Sequence, residues 1–266
     1  MSQRGVAALE RGQQEQAEQY LAKAVKACGA DPEARRNYAE ALWRRGAQVE
    51  AIAQFDRALK LDPGNVQLHV RRAEMLLALG QLDAASEAAE TAIDLDPKSG
   101  AAWAVRGRVA WAGGNARRAM DDLYRALAHT PEDRAVQLDL AEIYRLTGQP
   151  HRALQSLQTV TESYSPGEEP PEALHRIGLA YRDLSRHEEA VEALRAARDR
   201  GATGADFFTE LGLAELAVGR VPEASEAAQQ ALLLDREHPA AQSLAGKVAA
   251  AERQRMLASG AWPRLD

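Results

Sequence analysis

The chain has almost no cysteine and few aromatic residues, and both shortages constrain its fold. Cys28 is the only cysteine among 266 residues, so the chain can form neither an intrachain disulfide nor a cysteine zinc site. We interpret it as a small inert residue near a helix end. Aromatic residues make up 5% of the chain, whereas 45% is hydrophobic and much of that is alanine. Burial therefore has to come from many close contacts between small side chains.

Sequence signals for membrane insertion and catalysis are missing as well. No run approaches the roughly 20 apolar residues that span a bilayer, and the first residues lack the apolar core of a signal peptide. The six histidines form no i, i+4 pair around a carboxylate, and there is no Gly-rich phosphate loop. Adjacent carboxylates such as Asp121 and Asp122 do not face each other on a helix and are expected to be solvated. We predict no enzyme activity, no metal and no cofactor.

Excess basic charge is also absent. The formal net charge is -6 and the sequence pI is about 5.6. Proteins that bind nucleic acid normally carry a basic footprint, so nucleic acid is excluded as the expected partner. The preference for Arg over Lys, together with the high alanine content, predicts a bacterial source.

What the sequence does contain is a cycle of about 34 residues. Alanine recurs at one phase of it, at Ala17, Ala51, Ala85, Ala119, Ala153, Ala190 and Ala224. A second small residue comes 12 positions earlier, at Gly5, Ala39, Ala73, Gly107, Ala141, Gly178 and Gly212. Small residues at two fixed points allow two helix axes to cross at close range. Each cycle is therefore predicted to contain a pair of crossing helices.

Turn signals separate the two helices of each cycle. Between the two small positions lies a break at Gly12, Gly46, Gly80, Gly114, Gly148, Ser185 and Gly219. Glycine is the usual residue where a helix must end and the chain turn. The second helix tends to end near a proline, as at Asp62-Pro63 and Asp96-Pro97, because proline cannot continue a helix. Each cycle thus reads as a helical hairpin.

These residues resemble the tetratricopeptide repeat family. The stretch from Phe55 to Pro63 has the family's large residue, alanine and closing proline in order. The fourth cycle carries most of the pattern, at Trp103, Gly107, Gly114, Ala119, Leu123, Ala126 and Pro131. The resemblance implies an all-α, right-handed superhelical solenoid over residues 1–266. It places repeats near residues 1, 32, 66, 100, 134, 171 and 205, and a last helix at 239–258.

One insertion interrupts the period between the fifth and sixth repeats. Residues 164–171 add three residues and contain three prolines and a glycine, which exclude regular helix. We interpret the segment as a longer loop within a continuous array. The alternative is a hinge that divides five repeats from two.

The resemblance also suggests a binding surface, because the first helix of each repeat lines the concave face in this family. The predicted peptide-binding residues are Arg36, Asn37, Trp43, Arg71, Arg108, Trp111, Arg145 and Arg176. Guanidinium groups and flat aromatic rings suit an extended peptide with carboxylates or aromatic side chains. Two alternatives remain open: the arginines pair with Glu40, Glu74 and Glu142, or the tryptophans pack between first helices. Arg72 and Arg106, at a usual leucine position, are expected to snorkel.

The predicted function is a protein-binding scaffold or adaptor that holds a partner segment in the groove. The alternatives are a subunit of an envelope or secretion assembly, a self-associating repeat protein and, with less support, the repeat segment of a larger enzyme. Met1 falls at about the fourth position of its first helix, so a secretion signal or lipid-anchored leader upstream is one expectation. The compartment therefore stays open: cytoplasmic as the chain stands, periplasmic or lipid-anchored with a leader.

Overall fold

The computed structural model describes residues 1–258, and all regular structure in that range is α-helical. The helices are α1 (Ser2–Glu10), α2 (Gln14–Ala27), α3 (Pro32–Arg44), α4 (Gln48–Leu61), α5 (Val66–Ala78), α6 (Leu82–Leu95), α7 (Gly100–Ala112), α8 (Ala116–His129), α9 (Arg134–Leu146), α10 (Pro150–Glu162), α11 (Pro171–Asp183), α12 (His187–Asp199), α13 (Ala205–Ala217), α14 (Val221–Leu234) and α15 (Pro239–Ala258). We call α1, α3, α5, α7, α9, α11 and α13 the first helices, and the even-numbered ones the second helices. The predicted fold class, an all-α solenoid of helical hairpins, is confirmed.

The small residues of the period lie where the two helices of a hairpin cross. All seven in-phase alanines of the second helices are fully buried. A Cβ atom built on Gly107 would lie 2.9 Å from Cγ of Leu123 and 3.1 Å from the carbonyl oxygen of Ala119. The side chain of an ordinary residue cannot fit at that distance, so the helices depend on small residues for their separation.

The turns inside the hairpins also follow the sequence pattern. The six glycines at the predicted breaks all have positive φ, between 71° and 87°. Ser185 occupies the seventh break and adopts φ 58°, the only positive φ among non-glycine residues of the described range. Left-handed backbone favours glycine, so the turn geometry is retained there despite a side chain.

Contacts divide the chain into two compact units. The first comprises Met1–Val136 and the second begins at Gln137, within α9. In the first unit, one hydrophobic cluster gathers around Phe55 and Leu68, and another around Val70 and Val105. In the second unit, Val191, Leu194, Phe207 and Leu211 form one cluster, and Val221, Leu244 and Val248 form another. The single solenoid over the whole chain stays a prediction.

Within the insertion, α10 ends at Glu162 and α11 begins at Pro171. Glu169 holds the segment in place from two sides. Its carboxylate accepts a hydrogen bond from the Gly167 amide at 2.9 Å and pairs with Nη2 of Arg200, the residue after α12, at 3.1 Å. The choice between loop and hinge stays open.

Two expectations from the sequence are wrong. Asp122 is not solvated surface, since its side chain is 3% exposed and receives Nε and Nη2 of Arg106 at 2.8 and 2.7 Å. Arg106 therefore does not snorkel to water, because a buried carboxylate one hairpin helix away binds its charged end. Arg72 donates to Asp56 at 2.7 Å, but that carboxylate is 46% exposed, so the snorkelling of Arg72 stays a prediction. Cys28 caps the end of α2 and is exposed.

Candidate protein-binding face

The first-helix face of the first unit carries six of the eight predicted site residues. We define this face by Arg36, Asn37, Glu40, Trp43, Arg71, Glu74, Leu77, Arg108 and Trp111, on α3, α5 and α7. Its arginines do not share one helix position. Arg36 is the fifth residue of α3, Arg71 the sixth of α5 and Arg108 the ninth of α7. They run diagonally across the helices, whereas Trp43, Leu77 and Trp111 all occupy the twelfth position.

Arg71 braces α3 against α5. Its Nε and Nη2 donate to the two carboxylate oxygens of Glu40 at 2.6 and 2.9 Å, and Nη1 donates to Glu74 at 2.7 Å. The pKa of Arg71 is raised, first by the hydrogen bonds that it donates to Glu40, against the opposing effect of burial. A planar guanidinium that binds one carboxylate through two nitrogens fixes geometry as well as charge. Arg71 thus joins successive repeats, as one of the two alternatives anticipated.

Arg36 is bound more loosely. Its Nη2 lies 3.3 Å from Glu33 Oε1, in a pair whose side chains are 41% and 73% exposed, and 3.3 Å from Oδ1 of Asn37. Exposed ion pairs of this kind contribute little to stability. Arg36 and Asn37 therefore remain accessible at one edge of the face. Arg108 is partly buried on α7.

The twelfth-position row is the apolar part of this face. Trp43 packs against the cluster that contains Ala39, Phe55 and Met75, and Leu77 packs against the Val70 and Val105 cluster. Trp43, Leu77 and Trp111 are nevertheless only partly buried. Trp43 and Leu77 thus each keep some surface toward water while their remaining surface is fixed by packing.

The other two predicted residues lie in the second unit, where they tie α9 to α11. Arg145 donates to both oxygens of Glu142 and to Asp183 at 3.0 Å, and Nη1 of Arg176 donates to the Leu138 carbonyl at 2.6 Å. Burial acts to raise the pKa of Glu142, but hydrogen bonds from Arg145 and the charges around it lower the pKa overall. That both arginines also bind a ligand stays a prediction.

Sequence reasoning missed one constellation in the second unit. Nε2 of His175 is hydrogen-bonded to Glu210 of the next first helix, and its ring meets Phe207 edge-on at 5.1 Å. The only available signal was the place of His175 on a first helix, next to Arg176 in the sequence. Within residues 1–258, no group of three or more His, Cys, Asp or Glu side chains is arranged to hold a metal ion. No helix in that range combines the length and apolar character needed to cross a bilayer.

Comparisons with known proteins extend the resemblance. Models of the tetratricopeptide repeat match residues 3–66, 43–109, 110–168 and 171–197. Human tetratricopeptide repeat protein 33 is 28% identical over 148 residues, which is 56% of this chain and 54% of that protein. The chain spans about half, or less, of the length of the curated relatives it matches.

Two solved structures have similar folds. The structure of the APC/C hetero-tetramer Cut9-Hcn1 contains a chain with a TM-score of 0.79 and 17% identity, covering 92% of this chain and 48% of that one. PilW, described as a widely conserved type IV pilus biogenesis factor, has a TM-score of 0.71 and 20% identity, covering 80% and 97%. Both similarities extend to the fold alone.

Proposed function

Because the chain belongs to the tetratricopeptide repeat family, we propose that it is a protein-interaction scaffold. Its first-helix face in the first unit binds an extended segment of a partner protein. The observation that carries this proposal is the row of Trp43, Leu77 and Trp111, one partly buried apolar side chain at the same position of three successive first helices. Large aromatic side chains held by packing on one side are typical centres of binding energy in interfaces.

The spacing typical of packed helices suggests the kind of segment. Packed helices lie about 8–10 Å apart, and a polyproline II chain advances about 9.3 Å per turn of three residues. A segment in that conformation presents one side chain to each first helix. The partner segment is therefore a proline-rich stretch with an apolar residue at every third position.

The arginines have a different role in this proposal from the one the sequence suggested. Three of the five N–H donors of Arg71 are already bound to Glu40 and Glu74. Arg71 therefore orients the helices on which Trp43 and Leu77 lie. Arg36 and Asn37, at the more open edge, supply polar contacts to the backbone of the segment.

The test uses a fluorescein-labelled (Leu-Pro-Pro)4 peptide and measures binding by anisotropy. Trp111→Ala is expected to weaken binding by about 2 kcal/mol, roughly thirtyfold, without a comparable loss of melting temperature. Tyr124→Ala, which removes an exposed aromatic ring from second helix α8, is the control and is expected to bind as the wild type does. Equal binding by both variants, or equal binding of a (Ser-Pro-Pro)4 peptide, contradicts the proposal.

The narrower alternatives stay predictions. A role in an envelope or secretion assembly draws support from the similarity to PilW, which is a similarity of fold. Self-association would show as a mass that rises with concentration in light scattering.

A further inference from the structure

The second unit contains a small polar pocket. It opens between second helices α12 and α14, and α13 forms its floor. Its volume is about 210 Å³. Arg195 contributes from α12, Phe208, Leu211 and Glu215 from α13, and Glu223 and Glu226 from α14. Pockets for drug-sized ligands begin at about 300 Å³, so this one suits a single side chain or a small molecule.

Glu215 is the unusual residue of this pocket, because it is a buried carboxylate that is only half satisfied. The residue is 2% exposed, and its Oε1 accepts a hydrogen bond from Nε of Arg195 at 2.6 Å. Its Oε2 accepts no hydrogen bond from any residue of the described range. Nη1 of Arg220 lies 3.8 Å from Oε2, while Nη2 of the same guanidinium is held by Glu188 at 2.8 Å.

A buried carboxylate oxygen without a hydrogen-bond donor, such as Oε2 of Glu215, requires an explanation. Leaving a buried acceptor unsatisfied costs about 1–3 kcal/mol, and more when the group is charged. The equivalent positions of the two preceding first helices hold Tyr144 and Tyr181, so the repeat itself does not require a carboxylate here. Unsatisfied buried polar groups in a folded protein are few, and a missing ligand is one of their causes.

The charges around the pocket indicate the charge of a ligand that would bind there. Three carboxylates, of Glu215, Glu223 and Glu226, line it together with two guanidinium groups, of Arg195 and Arg198. Asp199 engages Arg198 at 2.9 Å and Glu188 engages Arg220 at 2.8 Å, so the carboxylates around the pocket outnumber the guanidinium groups by five to three. Phe208 and Leu211 add an apolar surface at the floor, which suits an aliphatic stem and the approach of a cation to an aromatic face.

We propose that this pocket binds an organic cation with an aliphatic stem, an alkylguanidinium or alkylammonium group. Its sources are an arginine or lysine side chain of a partner protein, or a free polyamine. Because Oε2 is closed to water, binding requires a rearrangement of the two guanidinium groups at Glu215, that of Arg195 on Oε1 and that of Arg220, 3.8 Å from Oε2. The incoming cation then donates to Oε2 of Glu215 and lies beneath the carboxylates of Glu223 and Glu226.

The experiment is a titration followed by amide chemical shifts in NMR spectra of the full chain. The probes are Nα-acetylarginine amide, Nα-acetyllysine amide and putrescine, and Nα-acetylnorleucine amide is the uncharged control. We expect saturable shifts confined to α12, α13 and α14 with the cations and none with the norleucine probe. Tighter binding of the amino-acid amides identifies a protein side chain as the source, and tighter binding of putrescine identifies a polyamine.

Two variants decide whether the carboxylates are responsible. Glu223→Gln combined with Glu226→Gln alters only exposed residues and is expected to weaken binding roughly tenfold. Glu215→Gln keeps the side-chain shape and is expected to abolish saturation. Asp83→Asn combined with Asp94→Asn, on exposed positions of α6 in the first unit, is the matched control and should bind as the wild type does.

Three results would overturn the proposal. The first is the absence of saturable shifts with every cation. The second is equal shifts with the norleucine probe. The third is wild-type affinity in the Glu223 and Glu226 double variant, which tests the site even if Glu215→Gln does not fold. Because none of these residues lies on the first-helix face, the outcome is independent of the peptide titration.

Discussion

Three first helices of the first unit, α3, α5 and α7, begin differently from α11 and α13 of the second unit. In the first unit α3, α5 and α7 start from the side-chain caps Asp31, Asn65 and Ser99, whose oxygens accept hydrogen bonds from backbone amides of the first turn. In the second unit α11 and α13 start from Pro170 and Gly204, and neither has a side-chain cap in the described range. Such caps stabilise a helix by about 1 kcal/mol.

A second hydrogen bond, made by the fourth residue of the helix, also distinguishes α3, α5 and α7 from α11 and α13. The fourth residue of α3, α5 and α7 is bonded to the carbonyl six positions earlier, through Arg35 to Gly29, His69 to Pro63 and Trp103 to Pro97. In α11 and α13 the fourth residue is Leu174 or Phe208, and both pack against the Val191 cluster instead. The arrangement returns at α15, where Gln242 bonds to Arg236. The starts of α3, α5 and α7 are thus fixed by local hydrogen bonds, and those of α11 and α13 by apolar packing.

The two units differ at these helix starts, but their hairpin helices cross at the same small residues. Overpacking a crossing should therefore lower the free energy of unfolding equally in both units. We expect Ala119→Leu and Ala190→Leu each to lower the free energy of unfolding by about 1–3 kcal/mol, since both alanines are fully buried. Ala101→Leu, at an exposed position of α7, is the control and should cost little. Urea denaturation followed by circular dichroism measures all three. Equal losses in Ala101→Leu and Ala119→Leu would show that the repeat phase is wrong.

Removing a side-chain cap in the first unit should cost more stability than a similar change beside an uncapped helix of the second unit. Asn65→Ala is expected to cost about 1 kcal/mol, because the Leu68 amide loses the oxygen that it meets at 3.2 Å. Thr203→Ala, beside the uncapped start of α13, is expected to change stability by less than about 0.5 kcal/mol. Hydrogen exchange at the first turns of α5 and α13 reports each effect locally. A larger loss of stability in Thr203→Ala than in Asn65→Ala would show that the side-chain caps do not distinguish these helices.

Acid should act on the second unit through Glu142. Its pKa is lower in the folded chain than in the unfolded one, so its contribution is complete above the unfolded pKa of about 4.3 and is lost as pH falls through the folded value. The residue is only half-buried, so we expect a loss of at most about 1 kcal/mol. Glu142→Gln should flatten the decline of stability below about pH 4.3, whereas Glu162→Gln, at an exposed position of α10, should leave it unchanged. Parallel curves for the two variants would assign the acid sensitivity to other groups.

The elements that the sequence predicted are those that depend on one residue type at one spacing. Ala119 and Gly107 lie where a helix crossing permits only a small side chain, and Gly114 lies where the backbone needs positive φ. These constraints are local and steric, so they recur in phase and can be recognised without a structure. Ser185 shows that the turn keeps its positive φ even where the glycine is replaced.

The remaining features depend on which residues meet across helices. Asp122 looked like surface because its burial depends on Arg106, 16 positions away on another helix. The helix-start bond was not visible, because Arg35, His69, Trp103 and Gln242 share only the ability to donate a hydrogen bond. The role of the predicted arginines was similarly ambiguous, since the offset between α3 and α5 decides that Arg71 meets Glu40. Only the packed structure supplies such offsets.

The bond from the fourth residue of a first helix has a consequence for exchanging repeats between proteins. Its donor and acceptor lie on opposite sides of the helix start, as with Trp103 and the Pro97 carbonyl. A segment cut at the helix start separates the two groups and relies on its new neighbour to supply the missing one. A segment cut at the glycine turn, from Gln81 to Gly114 for example, keeps the pair together. For grafting and for duplication, the natural 34-residue module therefore begins with a second helix and ends with the first helix that follows it.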